Sequence, residues 1–99
     1  MMDQIAGFNW DQANRAKCEK HGVSIAEIEA LFRSGPRIAP DVKHSRKEDR
    51  FIAVGRTRQG CPIFVAFTVR IRGDDHLIRP ISARYMHDKE IAGYEKEGS

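Results

Sequence analysis

The residues best suited to chemistry lie between positions 43 and 84. His44 sits in a polar stretch beside Lys43 and Arg46, and an imidazole there is easily tuned to carry or release a proton near neutral pH. The same placement also fits a plain surface histidine. Glu48 offers either a base or an ion-pair partner for Arg50; a carboxylate among guanidinium groups has a depressed pKa, which weakens it as a base. Arg79 and Arg84 are the expected phosphate ligands, because the planar guanidinium fork grips phosphate in a bidentate way. Arg70, near the end of an apolar run, shares a face with Thr68 and suits a neighbouring phosphate. Ser82 and Tyr85 complete this group, Tyr85 as an aromatic that can stack on a base.

From Arg50 to Arg84 there are seven Arg and no Lys. The charge is uneven along the chain. Residues 1–32 carry three basic and five acidic groups, residues 33–84 twelve and five, and residues 85–99 two and four. A basic middle rich in Arg points to a polyanion, of which RNA is the usual one, although a solvated basic surface has the same composition. The four histidines show neither HxH nor HxxxH spacing, so no metal site is expected. Cys18 and Cys61 form no CxxC and are expected to be reduced, structural thiols.

Ninety-nine residues, 40% hydrophobic and 31% charged, suit one soluble domain spanning 1–99. No apolar run approaches the roughly 20 residues of a membrane helix. Met1-Met2-Asp3-Gln4 lacks the basic and apolar regions of a signal peptide, so a cytoplasmic location without membrane partners is expected.

Several elements must position these side chains. Asp11 is a good N-cap for a helix over 12–21, with Gly22 at its end. Ser24 and Glu27 form a capping box for a second helix over 25–33, whose Ile25, Ile28, Leu31 and Phe32 recur at helical spacing. Gly35-Pro36 stops it. The period then changes to strands at about 37–42, 51–56, 62–70 and 77–84, with the segment from Pro62 to Arg70 the most apolar and central. A short helix over 88–96 closes the chain. The expected fold is α+β: two N-terminal helices, an antiparallel sheet of about four strands and a C-terminal helix, with the helices on one face.

Arg79 and Arg84 are five apart, so regular pleating sends them to opposite faces. Pro80 between them cannot donate a ladder hydrogen bond, which suggests a bulge or an outward-facing amide there. A bulge there would change the parity and bring both guanidinium groups to one face. Trp10 beside a helix cap reads as a core staple or as a stacking platform.

Taken together, Phe8-x-Trp10-Asp11, Lys20-His21-Gly22-Val23-Ser24, His44-Ser45, Glu48-x-Arg50-Phe51, Phe67-Thr68-x-Arg70, Ile78-Arg79-x-Ile81-Ser82-Ala83-Arg84, Glu90 and Tyr94 run in order through nearly the whole chain. In this combination the sequence resembles the BrnT family of type II toxins. It departs from the usual pattern at Pro80, where an aliphatic residue is expected, and at Met86-His87-Asp88, which replaces a more usual Ala-Thr start to the last helix.

The resemblance implies a RelE-like fold and an endoribonuclease that inhibits translation without a metal or other cofactor. It also implies a cognate BrnA-like antitoxin that neutralises the toxin and is the DNA-binding component of the complex. RNA cleavage without a metal needs a base for the 2′-hydroxyl proton, cations for the crowded phosphorane-like charge and an acid for the 5′-oxygen. His44, Glu48, Arg79 and Arg84 are the expected catalytic group, and Lys43, Arg46, Arg50, Arg70, Ser82 and Tyr85 the expected RNA contacts. Two other classes fit the composition: a non-catalytic module that binds nucleic acid or an acidic peptide, and a structural partner subunit.

Overall fold

The computed structural model describes residues 5–97. The first four residues, on which the expectation of no signal peptide rests, lie outside this range.

The chain opens with strand β1 (Ile5–Phe8), followed by helices α1 (Gln12–Glu19) and α2 (Ile25–Arg33). Strand β2 (Arg37–Pro40) leads through a 3-10 turn (Val42–His44) and a loop to β3 (Phe51–Arg56), β4 (Pro62–Arg72) and β5 (Asp75–Tyr85), and α3 (Asp88–Glu97) follows. The strands form one sheet in the order β1-β5-β4-β3-β2. The four strands from β2 to β5 pair antiparallel, as expected.

The sheet departs from expectation in having five strands and in being mixed, because β1 pairs parallel to β5. Its Ile5-Ala6-Gly7-Phe8 is too short, and too interrupted by Gly7, to announce a strand by alternation. Its place is set by long-range pairing, which ends with Asn9 N donating to Ile78 O at 2.7 Å.

Both N-terminal helices start as their sequences require. Asp11 accepts from Asn14 N while the Asn14 side chain accepts from Asp11 N, a reciprocal cap that satisfies two otherwise orphaned amides. Ser24 and Glu27 do the same for α2. The first helix stops two residues short of the expected end, and Gly22 takes up the reversal at φ 89°. The first strand after the helices also ends early, at Pro40, so Val42 enters the 3-10 turn instead of the sheet.

The two helices pack on one face of the sheet. Cys18, Ile28, Leu31 and Phe32 meet Ala53, Ile63, Val65, Phe67, Ile78 and Ala83 there, all buried. Phe32 sits edge-on to Phe67, with ring centroids 4.9 Å apart. Burial pushes the Cys18 thiol up to about 11, so this thiol is inert. Cys61 is exposed, and both cysteines are free, as expected. The third helix breaks the expectation that all helices share a face. Ile91 and Tyr94 pack with Val54, Ile52, Phe64 and Met86, and Val54 and Phe64 are one residue out of step with Ala53 and Ile63, hence on the opposite face.

The bulge inferred at Pro80 is present. Ala66 stands opposite Ser82 and Phe67 opposite Pro80, leaving Ile81 as the extra residue. The buried Asn14 amide secures this break: its Nδ2 donates to Pro80 O at 2.8 Å and to Asn9 O at 3.0 Å.

Candidate active site

Five of the expected site residues come together in one place. Lys43, His44, Arg46, Glu48 and Arg50, with Lys47, line an open groove of about 520 Å³ formed by the 3-10 turn and the loop before β3. The loop is held by short-range bonds. Ser45 Oγ donates to Asp41 O at 2.7 Å and accepts from Arg50 N at 2.9 Å, while Asp41 N donates to Arg50 O at 2.8 Å. Buried Thr68 Oγ1 donates to Asp49 O at 2.7 Å, which fastens the loop to the central strand.

Within this groove the imidazole is oriented. The Asp41 carboxylate lies 2.9 and 3.1 Å from His44 Nδ1. The His44 side chain is 60% exposed and that of Asp41 only 14%, so a largely sheltered carboxylate faces an accessible ring. A hydrogen on Nδ1 leaves the Nε2 lone pair available. Asp41 was not among the residues singled out in the sequence, and its three-residue spacing from His44 was the only available sign. Lys47 was also passed over, although it lies inside the same basic run.

Glu48 does not hold Arg50. It accepts from Arg70 Nη1 at 2.6 Å instead, because the loop folds back over β4. The side chains of Lys43, Arg46, Lys47 and Arg50 make no ion pair among the described residues. They are cations open to an incoming anion.

The strand arginines are arranged differently. The bulge places Arg79 opposite Thr68 and Arg84 opposite Phe64. Thr68 and Phe64 are four apart on one strand and share a face, so the two arginines do as well. Ser82, opposite Ala66, lies between them on that face. Arg70, opposite Leu77, is the diagonal neighbour of Arg79. All three arginines have carboxylate partners. Arg79 donates to Asn9 Oδ1 and Asp11 Oδ2, both at 2.7 Å. Arg84 donates to both oxygens of Glu90, at 3.0 and 2.7 Å, and lies 4.5 Å from the centroid of the Phe64 ring. The Glu90 carboxyl is held below its usual range by that bidentate bond, and the Arg84 guanidinium is raised by it. Ion pairs this close to solvent are weak, so a phosphate can compete for each fork.

Tyr85 is not part of this face. It stands opposite Ile63, on the side of α2, and its hydroxyl donates to Glu27 Oε1 at 2.9 Å. That bond pushes the phenol up from its usual value. Trp10 is likewise committed: its indole N–H donates to Glu29 at 2.9 Å.

Residues 10–90 match the model of a family described as the ribonuclease toxin, BrnT, of type II toxin-antitoxin systems. The chain belongs to the BrnT family. No curated protein sequence matches it. The BrnT match covers the groove, the bulge and every strand arginine discussed above. As a type II toxin, a BrnT protein has an antitoxin for its partner and RNA for its substrate.

Proposed function

We propose that this BrnT chain cuts single-stranded RNA internally by attack of a ribose 2′-hydroxyl on the adjacent phosphorus, leaving a 2′,3′-cyclic phosphate and a 5′-hydroxyl. The observation that carries this reading is the pairing of an accessible, oriented His44 with unpaired cations in one groove. His44 Nε2 takes the 2′-hydroxyl proton. Lys43, Arg46, Lys47 and Arg50 hold the scissile phosphate and stabilise the charge that grows on it. Arg70 and Arg79 exchange Glu48 and Asp11 for the next phosphate, and Ser82 and Arg84 extend the same track towards α3. Glu48, released from Arg70, takes a proton from solvent and passes it to the leaving 5′-oxygen. Tyr85 plays no part in this track.

On this reading the chain needs no metal. The toxin acts in the cytoplasm by removing translatable RNA, in a RelE-like arrangement of sheet and helices. Its antitoxin is BrnA-like and supplies the DNA-binding part of their complex. Among the described residues no helix is long and apolar enough to cross a membrane.

The deciding experiment is a digest of a labelled RNA oligonucleotide in excess EDTA with end-group analysis, alongside the same oligonucleotide with one 2′-deoxy position. The expected result is a cyclic phosphate terminus and protection at the deoxy site, since DNA lacks the attacking oxygen. Pairing of all three strand arginines favours a second reading, in which the sheet retains RNA without cutting it. Full-length RNA bound to the protein after prolonged incubation would establish that reading instead.

A further inference from the structure

We infer that Asp41 is a positioning residue for His44: its carboxylate fixes the imidazole with a hydrogen on Nδ1 and turns Nε2 towards the groove. This inference rests on the reading of His44 as the base. Its grounds are geometric. Both carboxylate oxygens lie within hydrogen-bond distance of Nδ1, at 3.1 and 2.9 Å. The carboxylate is itself sheltered, with 14% of its side chain exposed.

Its main chain is clamped at both polar atoms. The amide donates to Arg50 O at 2.8 Å, and the carbonyl accepts from Ser45 Oγ at 2.7 Å and from His44 N at 3.2 Å. The loop is therefore held by the backbone of Asp41, while its side chain is left to a single task. A histidine with one nitrogen bound to a carboxylate presents the other in a defined tautomer and direction.

The charged groups around the ring are Lys43, Arg46, Lys47 and Arg50, with Glu48 on the same groove and Arg70 reaching Glu48 from β4. Asp41 is the anion in direct contact with the ring, and its carboxylate keeps its hydrogen bond to Nδ1 while Nε2 takes the 2′-hydroxyl proton.

The test compares His44→Ala, Asp41→Asn and the double variant on a defined single-stranded RNA oligonucleotide, with kcat and KM as separate readouts. Asn keeps the size and the backbone bonds of Asp41. The expected result for Asp41→Asn is a kcat lowered about tenfold to a hundredfold, part of the roughly 10²–10⁴ that a positioned base supplies. Its KM stays within about twofold. In the His44→Ala background Asp41→Asn causes no further loss, since a residue that acts only through His44 has nothing left to position.

Wild-type kcat in Asp41→Asn, with kcat strongly lowered in His44→Ala, would overturn the role of Asp41 and leave His44 as base. An equal further loss in the His44→Ala background would overturn it too, by showing that Asp41 serves the fold. Full activity in His44→Ala would remove the base itself, and the role of Asp41 with it.

Discussion

Arg79 and Arg84 point from the same face of β5 although five positions separate them, because Ile81 bulges out of the ladder between their partners Thr68 and Phe64. The shared face does not make a shared phosphate site. Four residues of strand separate the two rows, about 13 Å at the usual rise. Arg79 belongs with Arg70, Glu48 and the loop of His44, whereas Arg84 belongs with Phe64 and α3. A single phosphodiester meets one or the other.

This separation makes the carboxylate partners informative. Glu90 competes with RNA for the Arg84 fork. Glu90→Gln should tighten RNA binding a few-fold, measured by fluorescence anisotropy with a cleavage-resistant 2′-deoxy oligonucleotide, and Arg84→Ala should weaken it. Unchanged affinity in both variants would take Arg84 out of the RNA track and leave it a fastener for α3. Loss of its contact with Phe64, about 0.5–1 kcal/mol for an exposed cation–π pair, should lower the melting temperature of Arg84→Ala by roughly 2–8 °C.

The unpaired cations of the groove should show themselves in the salt dependence of binding. Each phosphate contact to a single strand contributes about 0.7 to the slope of log affinity against log salt. Arg46→Ala and Arg50→Ala should each lower that slope by about this amount and weaken binding to unrelated sequences alike. A lower affinity with the wild-type slope would mean that the side chain packs and does not meet a phosphate.

Acid should destabilise the fold through specific carboxylates. Asp11 is held below 3.8, first by the Asn14 amide and then by Arg79; Glu90 is held below 4.5 by Arg84. A carboxyl whose folded pKa is depressed contributes stability above its unfolded pKa and loses it as pH falls through the folded value. Melting temperature should therefore be flat near neutrality and decline below about pH 4.5. In Asp11→Asn and Glu90→Gln the neutral value should be lower and the acid decline shallower. A parallel decline in all three proteins would assign acid unfolding to other groups.

Asn14 is the buried polar group on which the bulge depends. Its amide serves Asn9 O and Pro80 O, and its carbonyl accepts from Asp11 N. Asn14→Ala leaves these groups without partners in a buried place, which costs about 1–3 kcal/mol for each group stranded. A fall in unfolding free energy of at least about 2 kcal/mol in urea is expected. Asn14→Asp, which retains the acceptor, should keep the cap but still lose the bonds to both carbonyls.

Much of this protein follows from local sequence. The caps at Asp11 and Ser24, the apolar spacing of Ile28, Leu31 and Phe32, the apolar run from Pro62 to Arg70 and the arginine bias of the strands are each set by neighbours a few residues apart. Pro80 belongs with them: its missing amide announces a break in the ladder. Tertiary structure alone decided which carboxylate met which guanidinium, that Glu48 takes Arg70, that Arg79 takes Asp11 across 68 positions, and that Tyr85 turns away to Glu27. It also decided that Ile5–Phe8 is a strand and that α3 lies on the face opposite the other helices. Spacing along the chain specifies direction within one element. Contact between elements depends on the register and twist of the whole sheet, which four-residue strands and flexible ionic side chains do not encode by themselves.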